Sequence, residues 1–593
     1  MILNKGAIPH ENGCVFRVWA PHADSVFVLG SFNNWSKEAN PLQREKHGWW
    51  KTDVPGATPG NEYRYRIVSG SKDLLRMDPY SRNVTSSVGN SIITKPSDVR
   101  EVSGFSTPLL NETVIYELHI GTFGKTSGDK PSNLESAVRR LPYLKELGVN
   151  AIEIMPIGEF AGAYSWGYNP CHIFAVESDY GDPNSFRNFV KAAHEHGIAV
   201  ILDVIYNHLG PTDLNLWQFD GWSENKKGGA YFYNDQRANT PWGETRPDYG
   251  RGEVREFLRD NALFWLVEYG VDGLRWDATN FIRNVTGGSD PAGDIPDGWN
   301  LMQWINKEIK KARPGSFTIA EDMQDNPFLT KAPKDGGAGF DAQWDARFVH
   351  AVRRALIVSD DTARDLDAVR DAILHRYYLN GFERVIYTES HDEIANGKAR
   401  VPEEVQPGQA SNWFAKKKAC LGAALVFLSP GIPMIFQGQE FLEDDWFHDK
   451  DPLDWSKKER FAGILQLFKD LIRLRLNCNG VSRGLRGQEV SVHHVNQSEK
   501  VIAFHRWDKG GPGDTVAAVL NFANRLHENY EVGLPHSGTW KVRLNSDSAL
   551  YDASFGNVAC EDIQAVKSSM DGLPFKGKFS LAPYSFLILS ADS

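Results

Sequence analysis

VDGLRWDATN, residues 271–280, begins as a buried strand and then carries an arginine and an aspartate two positions apart. Successive strand side chains point to opposite faces, so Arg275 and Asp277 share one face. Two readings fit a guanidinium and a carboxylate aimed at one interior point. One is a satisfied buried ion pair. The other is a catalytic carboxylate held ionised by its arginine.

The same kind of segment recurs on both sides of it. Strand-like runs are TVIYELHIGTF (113–123), AIEIMPI (151–157), AVILDVIYNH (199–208), GLRWDA (273–278), FTIAED (317–322), FDAQWD (340–345), RVIYTESHD (384–392) and PMIFQGQE (433–440). Amphipathic helical segments lie between them: NLESAVRRLPYLKELG (133–148), NSFRNFVKAAHEHG (184–197) and REFLRDNALFWLVEYG (255–270). Each of these ends in glycine, as helix C-termini often do. ACLGAALVFLSPGIPMIF (419–436) reads as a helix followed by a buried strand, because its prolines and glycine break the apolar run. Eight strands alternating with helices predict a central (β/α)8 TIM-type barrel over residues 111–475. Residues 209–250, after the third strand, are irregular and rich in Gly, Asn, Trp and Tyr, and so long a connection is usually functional.

Flanking the barrel, the pattern changes. CVFRVWAP, SVFVLGSF, GWWKTDVP and EYRYRIVS are short alternating runs separated by turn clusters, and predict a β-sandwich over residues 1–100. After about 485 the chain returns to short strands, VSVHHVN, KVIAFHRW, TVAAVLNFA, TWKVRLNS and KFSLAPYSFLIL, which predict a C-terminal β-sandwich domain to 593.

Bulk composition excludes several functions. The net charge is −11 over 593 residues without a basic run, which argues against nucleic acid. Tryptophan is abundant, 18 residues, and Trp-rich proteins often bind flat apolar faces such as sugar rings. Five cysteines (Cys14, Cys171, Cys420, Cys478, Cys560) are scattered, odd in number and without metal-type spacing. They read as reduced thiols of a cytoplasmic protein. The MILNKGAIPHENG start lacks the apolar core of a signal peptide, and no apolar run reaches the roughly 18 residues of a membrane span. Oligomeric state is not readable.

Active sites of (β/α)8 barrels lie at the C-terminal ends of the strands. Here those ends are polar: Asp203, Asn207 and His208 after the third, Arg275 and Asp277 on the fourth, Glu321 and Asp322 on the fifth, His391 and Asp392 on the seventh. Burying a carboxylate costs several kcal/mol unless it is paired, so a fold needing only packing would place Val or Leu there. Taken singly, each residue is an ordinary helix cap or hydrogen-bonded histidine; the set gathers three carboxylates, two histidines and an arginine at one mouth. Retaining glycoside hydrolysis needs such a set: a carboxylate nucleophile, a carboxylic acid close by, and negative charge to meet an oxocarbenium-like transition state. The arginine is expected to hold the nucleophile ionised, and the histidines to donate to hydroxyls as neutral groups. Metal-assisted hydrolysis would want clustered histidines, whereas His119, His208 and His391 lie on separate strands.

At these residues the sequence resembles the α-amylase superfamily, glycoside hydrolase family 13. DVIYNH (203–208), GLRWDATN (273–280), IAED (319–322) and ESHDE (389–393) look like its four motifs, in order. The resemblance implies Asp277 as nucleophile, Glu321 as general acid/base and Asp392 as the carboxylate that holds ring hydroxyls. It implies Arg275 as the positioning arginine, His208 and His391 as histidines lining subsite −1, and Asp203 as a structural aspartate. Tyr168, in SWGYNP, resembles the tyrosine that stacks on the −1 sugar, with Trp166 beside it. Asn207 lies where some members hold calcium; the alternative is that it braces its loop. No organic cofactor is implied. FRVWAP, GSFNNW and YRYRI resemble the glycogen-binding-type sandwich of branching enzymes, isoamylases and trehalohydrolases, and Trp35, Trp49 and Trp50 either stack on glucan or pack inside.

The implied substrate is an α-glucan polysaccharide or malto-oligosaccharide. SHDEIANGK (390–398), and PLDW after GQEF, resemble bacterial glycogen branching enzymes. VILDVIYNHLGP and TPWGETRPDYG look more like malto-oligosyltrehalose trehalohydrolases, whose fourth motif differs at Glu393. The expected activity is retaining cleavage of α-1,4-glucan with transfer to a 6-hydroxyl, followed by α-amylase-type hydrolysis and then trehalohydrolase. A non-catalytic glucan-binding scaffold is disfavoured because all three carboxylate positions are filled.

Overall fold

The computed structural model describes residues 4–96, 102–124 and 130–592. Eight parallel strands close into a barrel in chain order: β1 Ile115–Leu118, β2 Ala151–Ile154, β3 Ala199–Val204, β4 Gly273–Trp276, β5 Phe317–Ala320, β6 Ala342–Trp344, β7 Arg384–Ile386 and β8 Ile432–Phe436, with β8 pairing back onto β1. Seven lie within the runs anticipated from alternation, and β8 begins one residue before its run. Most are shorter, because the polar residues at their C-terminal ends leave the ladder for the loops that form the mouth.

Register explains what fills the interior. Ala151 pairs with Ile115 and Ala199, Glu153 with Glu117 and Ile201, and Asp203 with Arg275. Paired residues in parallel strands share a face. Ile115, Ala151, Ala199, Ile201, Phe317, Ile319, Trp344 and Met434 therefore form an apolar plug, and one step toward the mouth the same face turns acidic at Glu117, Glu153 and Asp203. Gly273 is required in the plug: a Cβ there would come within 2.6 Å of the Phe317 Cβ.

The helices form the outer wall. The segment 133–148 is two short helices, Leu134–Val138 and Leu141–Leu147, because Pro142 starts the second. Of residues 184–197, all but the last two lie in the helix Pro183–Glu195, capped by Asp182. Gly252–Leu263 continues through a π-turn, Phe264–Glu268, to Gly270 at φ +77°. Trp413–Leu428 is the apolar helix before β8, almost entirely buried. The 209–250 connection holds one 3-10 turn, Gln236–Ala238, and isolated bridges among its described residues.

Two antiparallel sheets precede the barrel. One joins Gly6–His10, Gly13–Trp19, Trp49–Pro55 and Gln43–Arg44; the other joins Ser25–Gly30, Glu62–Ser69 and Lys72–Arg76, with Ser91–Ile92 on Glu62–Ser69. Trp49 and Trp50 are buried, so packing wins there; Trp35 alone stays exposed. Beyond the barrel, a six-stranded sheet and a two-stranded sheet make an all-β C-terminal domain. It is tied to the Trp413–Leu428 helix by the buried Lys417–Asp547 pair at 2.6 Å. No helix of the described residues is long and apolar enough to cross a membrane.

Candidate active site

A cavity of about 550 Å³ opens at the C-terminal mouth of the barrel, and Tyr168, His208, Asp277, Glu321, His391 and Asp392 line it. The six come from five different connections: four are those of the strand-end pattern, and Tyr168 comes from the connection after β2. Arg275 lies beneath them, fully buried, with Asp203.

Arg275 organises the site. Its Nη1 contacts Asp203 Oδ2 at 2.5 Å and Asp277 Oδ1 at 3.2 Å. Its Nη2 lies 3.0 Å from Glu321 Oε2, an ion pair out of line for a hydrogen bond. One guanidinium thus reaches three carboxylates, which the shared-face argument at 275 and 277 only began to show. Tyr168 donates its hydroxyl to Asp203 Oδ2 at 2.5 Å, and its ring stacks on His391, centroids 4.9 Å apart. Trp166 stacks on Phe447 and meets His391 edge-on.

The backbone bends to serve the carboxylates. Asp277 Oδ2 accepts from Asn207 Nδ2 at 2.7 Å. Glu321 Oε2 accepts from the Ala278 amide at 2.8 Å. Ala278 sits at φ +39° and Met323, on the other side of Glu321, at φ +58°. Left-handed backbone costs a non-glycine residue on the order of 1 kcal/mol, and two such residues flanking one carboxylate mark a functional constraint. Thr279 fastens the turn, donating its hydroxyl to the Glu321 carbonyl at 2.7 Å. Asp322 is held by Arg283, at 2.8 and 2.7 Å.

Burial sets the proton distribution. It pushes Asp277 up to about 6 despite Arg275, so the guanidinium lessens the desolvation without cancelling it. Glu321 is pushed up to about 7 by burial, with Asp277 and Asp392 adding to the rise against Arg275. Asp203 is raised to about 6, again by burial. The two histidines are unlike. Burial lowers His208 to about 4, which favours the neutral ring, and its one N–H, on Nδ1, goes to the Asn207 oxygen. For His391 burial is outweighed by Asp392 and by Glu117, whose Oε1 lies 2.5 Å from Nδ1, and its pKa rises to about 9. That favours the protonated ring at His391, where a neutral donor was anticipated.

Asn207 is occupied as a brace: its amide nitrogen bonds the Asp277 carboxylate and carbonyl, and its oxygen faces His208 Nδ1. Among the described residues no three acidic, histidine or cysteine side chains cluster for a metal. These donors do not fit calcium at Asn207.

Sequence reading missed several lining residues. Trp242, in the 209–250 connection, stacks on His208 at 4.5 Å and meets Phe281 edge-on at 5.1 Å. It is 42% exposed, with Asn280 and Phe281 beside it in the wall. Trp344 packs under the Arg275 guanidinium, 4.3 Å from ring centre to Cζ. Glu117 and Glu153 lie beneath the site, each 1% exposed. The signal for these two was present, a lone acid in a strand run, but no strand-end position marked them.

Residues 118–241 and 211–473 match the alpha amylase catalytic domain. The chain belongs to the α-amylase family, glycoside hydrolase family 13. Residues 5–81 match carbohydrate-binding module 48, the isoamylase N-terminal domain, and 492–592 the alpha amylase C-terminal all-beta domain. The family membership makes it an α-glucan-active enzyme, a branching enzyme or related glycosidase. Two relatives are named 1,4-alpha-glucan branching enzyme. GlgB of Oceanobacillus iheyensis is 31% identical, covering 92% of this chain and 88% of that protein. GlgB 2 of Xanthomonas campestris pv. campestris is 31% identical, covering 97% and 80%. Two pullulanases share the fold. The Anoxybacillus sp. LM18-11 enzyme with maltotetraose has TM-score 0.76 and 22% identity, covering 99% and 87%. The type I enzyme of Bacillus subtilis str. 168 with maltose has TM-score 0.77 and 21% identity, covering 100% and 86%.

Proposed function

We propose that this family member is a 1,4-α-glucan branching enzyme, with Asp277 as nucleophile, Glu321 as general acid/base and Asp392 holding the ring hydroxyls of the −1 sugar. The observation that carries the assignment is the single guanidinium of Arg275 reaching both Asp277 and Glu321. That keeps the two carboxylates within one guanidinium's span, as the short separation of a retaining displacement needs. Glu321, with the more strongly raised pKa, gives its proton to the O4 of the departing chain while the Asp277 carboxylate attacks C1 and forms a glycosyl ester. Glu321, now ionised, takes the proton of an incoming 6-hydroxyl, whose oxygen displaces Asp277. Tyr168 offers a ring face to the −1 sugar, the cationic His391 donates to its hydroxyls, the neutral His208 accepts from one through Nε2, and Asp203 holds Arg275 in place. Trp166 extends the aromatic floor.

Transfer rather than hydrolysis is supported by the branching-enzyme names of relatives matching nearly the full chain. The aromatic wall of Trp242 and Phe281 beside Glu321 suits an acceptor glucan. Hydrolysis is the second reading, favoured by Asp392, whose side chain is 47% exposed and open to water. The same reading places the enzyme in the cytoplasm, where its five free thiols stay reduced.

Amylose is the test substrate. Iodine colour falling with few new reducing ends, and short chains released by isoamylase, is the expected result. Reducing ends rising in step with the loss of colour would replace branching by hydrolysis.

A further inference from the structure

The 209–250 connection has little secondary structure, so its backbone groups must find partners elsewhere. Several find them on the N-terminal sandwich. Arg76 donates from Nε to the Phe219 carbonyl at 3.0 Å and from Nη2 to the Gln218 carbonyl at 3.0 Å. Lys72 donates to the Gly221 carbonyl. Asn215 Oδ1 accepts from the Met77 amide at 3.1 Å, and His22 stacks on Trp222 while pairing with buried Asp220.

From there a continuous chain of hydrogen bonds runs to the cleft. Gln218 donates its amide to Gly228 at 2.7 Å and its side chain to the Lys227 carbonyl at 3.1 Å. Lys227 Nζ reaches Asn239 Oδ1 at 3.1 Å and Glu244 Oε1 at 2.5 Å. Those two residues bracket the Thr240–Gly243 turn that carries Trp242, where Thr240 N bonds Gly243 O at 2.8 Å. Trp242 then lies on His208.

Domain adhesion alone does not require these contacts. Ion pairs already fasten the sandwich to the outer helices: Lys5 to Glu256 and Asp260, and the buried Arg82 to Glu268. Those pairs end on helix side chains. The Arg76 and Lys72 contacts instead fix loop carbonyls, and so fix loop shape.

We propose that the N-terminal sandwich is a positioning element of the active site, with Arg76 as the positioning residue that, through Gln218 and Lys227, holds Trp242 over His208 as the wall against which the acceptor glucan lies. The acceptor role rests on the branching reading above; the positioning of Trp242 does not.

The test compares the full-length variants Arg76→Ala, Arg76→Lys, Lys227→Ala, Trp242→Ala and Arg82→Ala. Each is assayed for KM and kcat on amylose, for branch points per new reducing end, and for melting temperature. Trp242→Ala and Arg76→Ala are expected to raise KM about three- to tenfold and to shift the product ratio the same way. Arg76→Lys recovers part of this. Lys227→Ala reproduces it without touching the sandwich, which covers the case that Arg76→Ala misfolds. The Arg76→Ala/Trp242→Ala double variant shows no more than the Trp242→Ala effect. Arg82→Ala lowers the melting temperature and leaves KM and product ratio unchanged. Arg76→Ala and Lys227→Ala behaving like Arg82→Ala, or additive effects in the double variant, would overturn the proposal. If the wild type only hydrolyses, the branching reading fails and the KM pattern still decides positioning. If it turns nothing over, the same comparison is made on the Kd for maltoheptaose.

Discussion

The two ends of the barrel bury charge in opposite ways. At the C-terminal mouth, acids outnumber cations: Glu117, Glu153, Asp203, Asp277 and Glu321 share Arg275 and His391. At the N-terminal end the buried charge is mostly arginine, beside Asp272, which pairs with His194 and Arg313. Arg384, Arg475 and Arg506 are fully buried. They converge on the carbonyls of Leu428, Ser429, Pro430 and Gly431, at 2.6 to 3.2 Å. Leu428 and Ser429 end the Trp413–Leu428 helix, whose dipole places negative charge there, and Pro430 and Gly431 lead into β8. Arg384 also meets Asp345 at 2.9 Å, whereas Arg475 and Arg506 make no ion pair among the described residues. Burial lowers Arg475 to about 9 and lowers Arg506 well below the usual arginine value. Most donors at this end are spent on backbone, leaving the Nε of Arg475 and of Arg506 over. At the mouth, both Glu153 oxygens, Asp203 Oδ1 and Arg275 Nε and Nη2 lack hydrogen-bond partners. The lower cluster closes the fold; the upper one leaves polar groups unpaired beneath the reacting carboxylates, an environment that shifts their pKa values.

Removing chemistry from the mouth should have the largest effect. Asp277→Asn or Glu321→Gln is expected to lower kcat roughly 10⁴-fold while the melting temperature stays near that of the wild type. Initial-rate assays and thermal scans check it, and full activity in either variant would erase the contrast between the ends. Arg506→Met should do the reverse. It strips partners from three buried carbonyls and should destabilise the chain by about 2–4 kcal/mol. Urea unfolding measures that loss, and kcat per folded molecule should be unchanged.

The pH profile sharpens the comparison. The nucleophile must be ionised, and Asp277 is raised to about 6, so kcat/KM falls as pH drops below about 6. The acid must be protonated, and Glu321 is raised to about 7, so the rate falls again above about 7. A narrow bell is expected, and its limbs belong to the coupled pair. A plateau extending well above pH 8 would remove Glu321 as the acid. The smallest effect is expected at Glu153. Burial, reinforced by Glu117, raises it well above the usual carboxylate range, which favours the protonated acid. Glu153→Gln should change kcat less than about threefold and stability by less than about 1 kcal/mol; a large loss in either assay would mean an ionised carboxylate at the barrel floor.

How far sequence reading reached follows from what each feature depends on. Alternation is local, so DVIYNH, GLRWDA, IAED and TESHDE marked both the strands and the polar residues at their ends. A local pattern does not state which charges meet. That Arg275 reaches Glu321 and Asp203 as well as Asp277 depends on three strands closing side by side. That His391 favours its protonated ring depends on Glu117, 274 positions away in sequence. Trp242 was hidden because its connection has no period to read, and only the packed loop lays it on His208.

The sequence alone determined the eight-stranded barrel, its β-rich flanks and the family, because side-chain alternation and short motifs are written residue by residue. Tertiary structure alone decided the proton distribution at the mouth and the anchoring of the 209–250 connection by the sandwich. Desolvation and charge pairing act through space, between residues that the chain brings together only on folding.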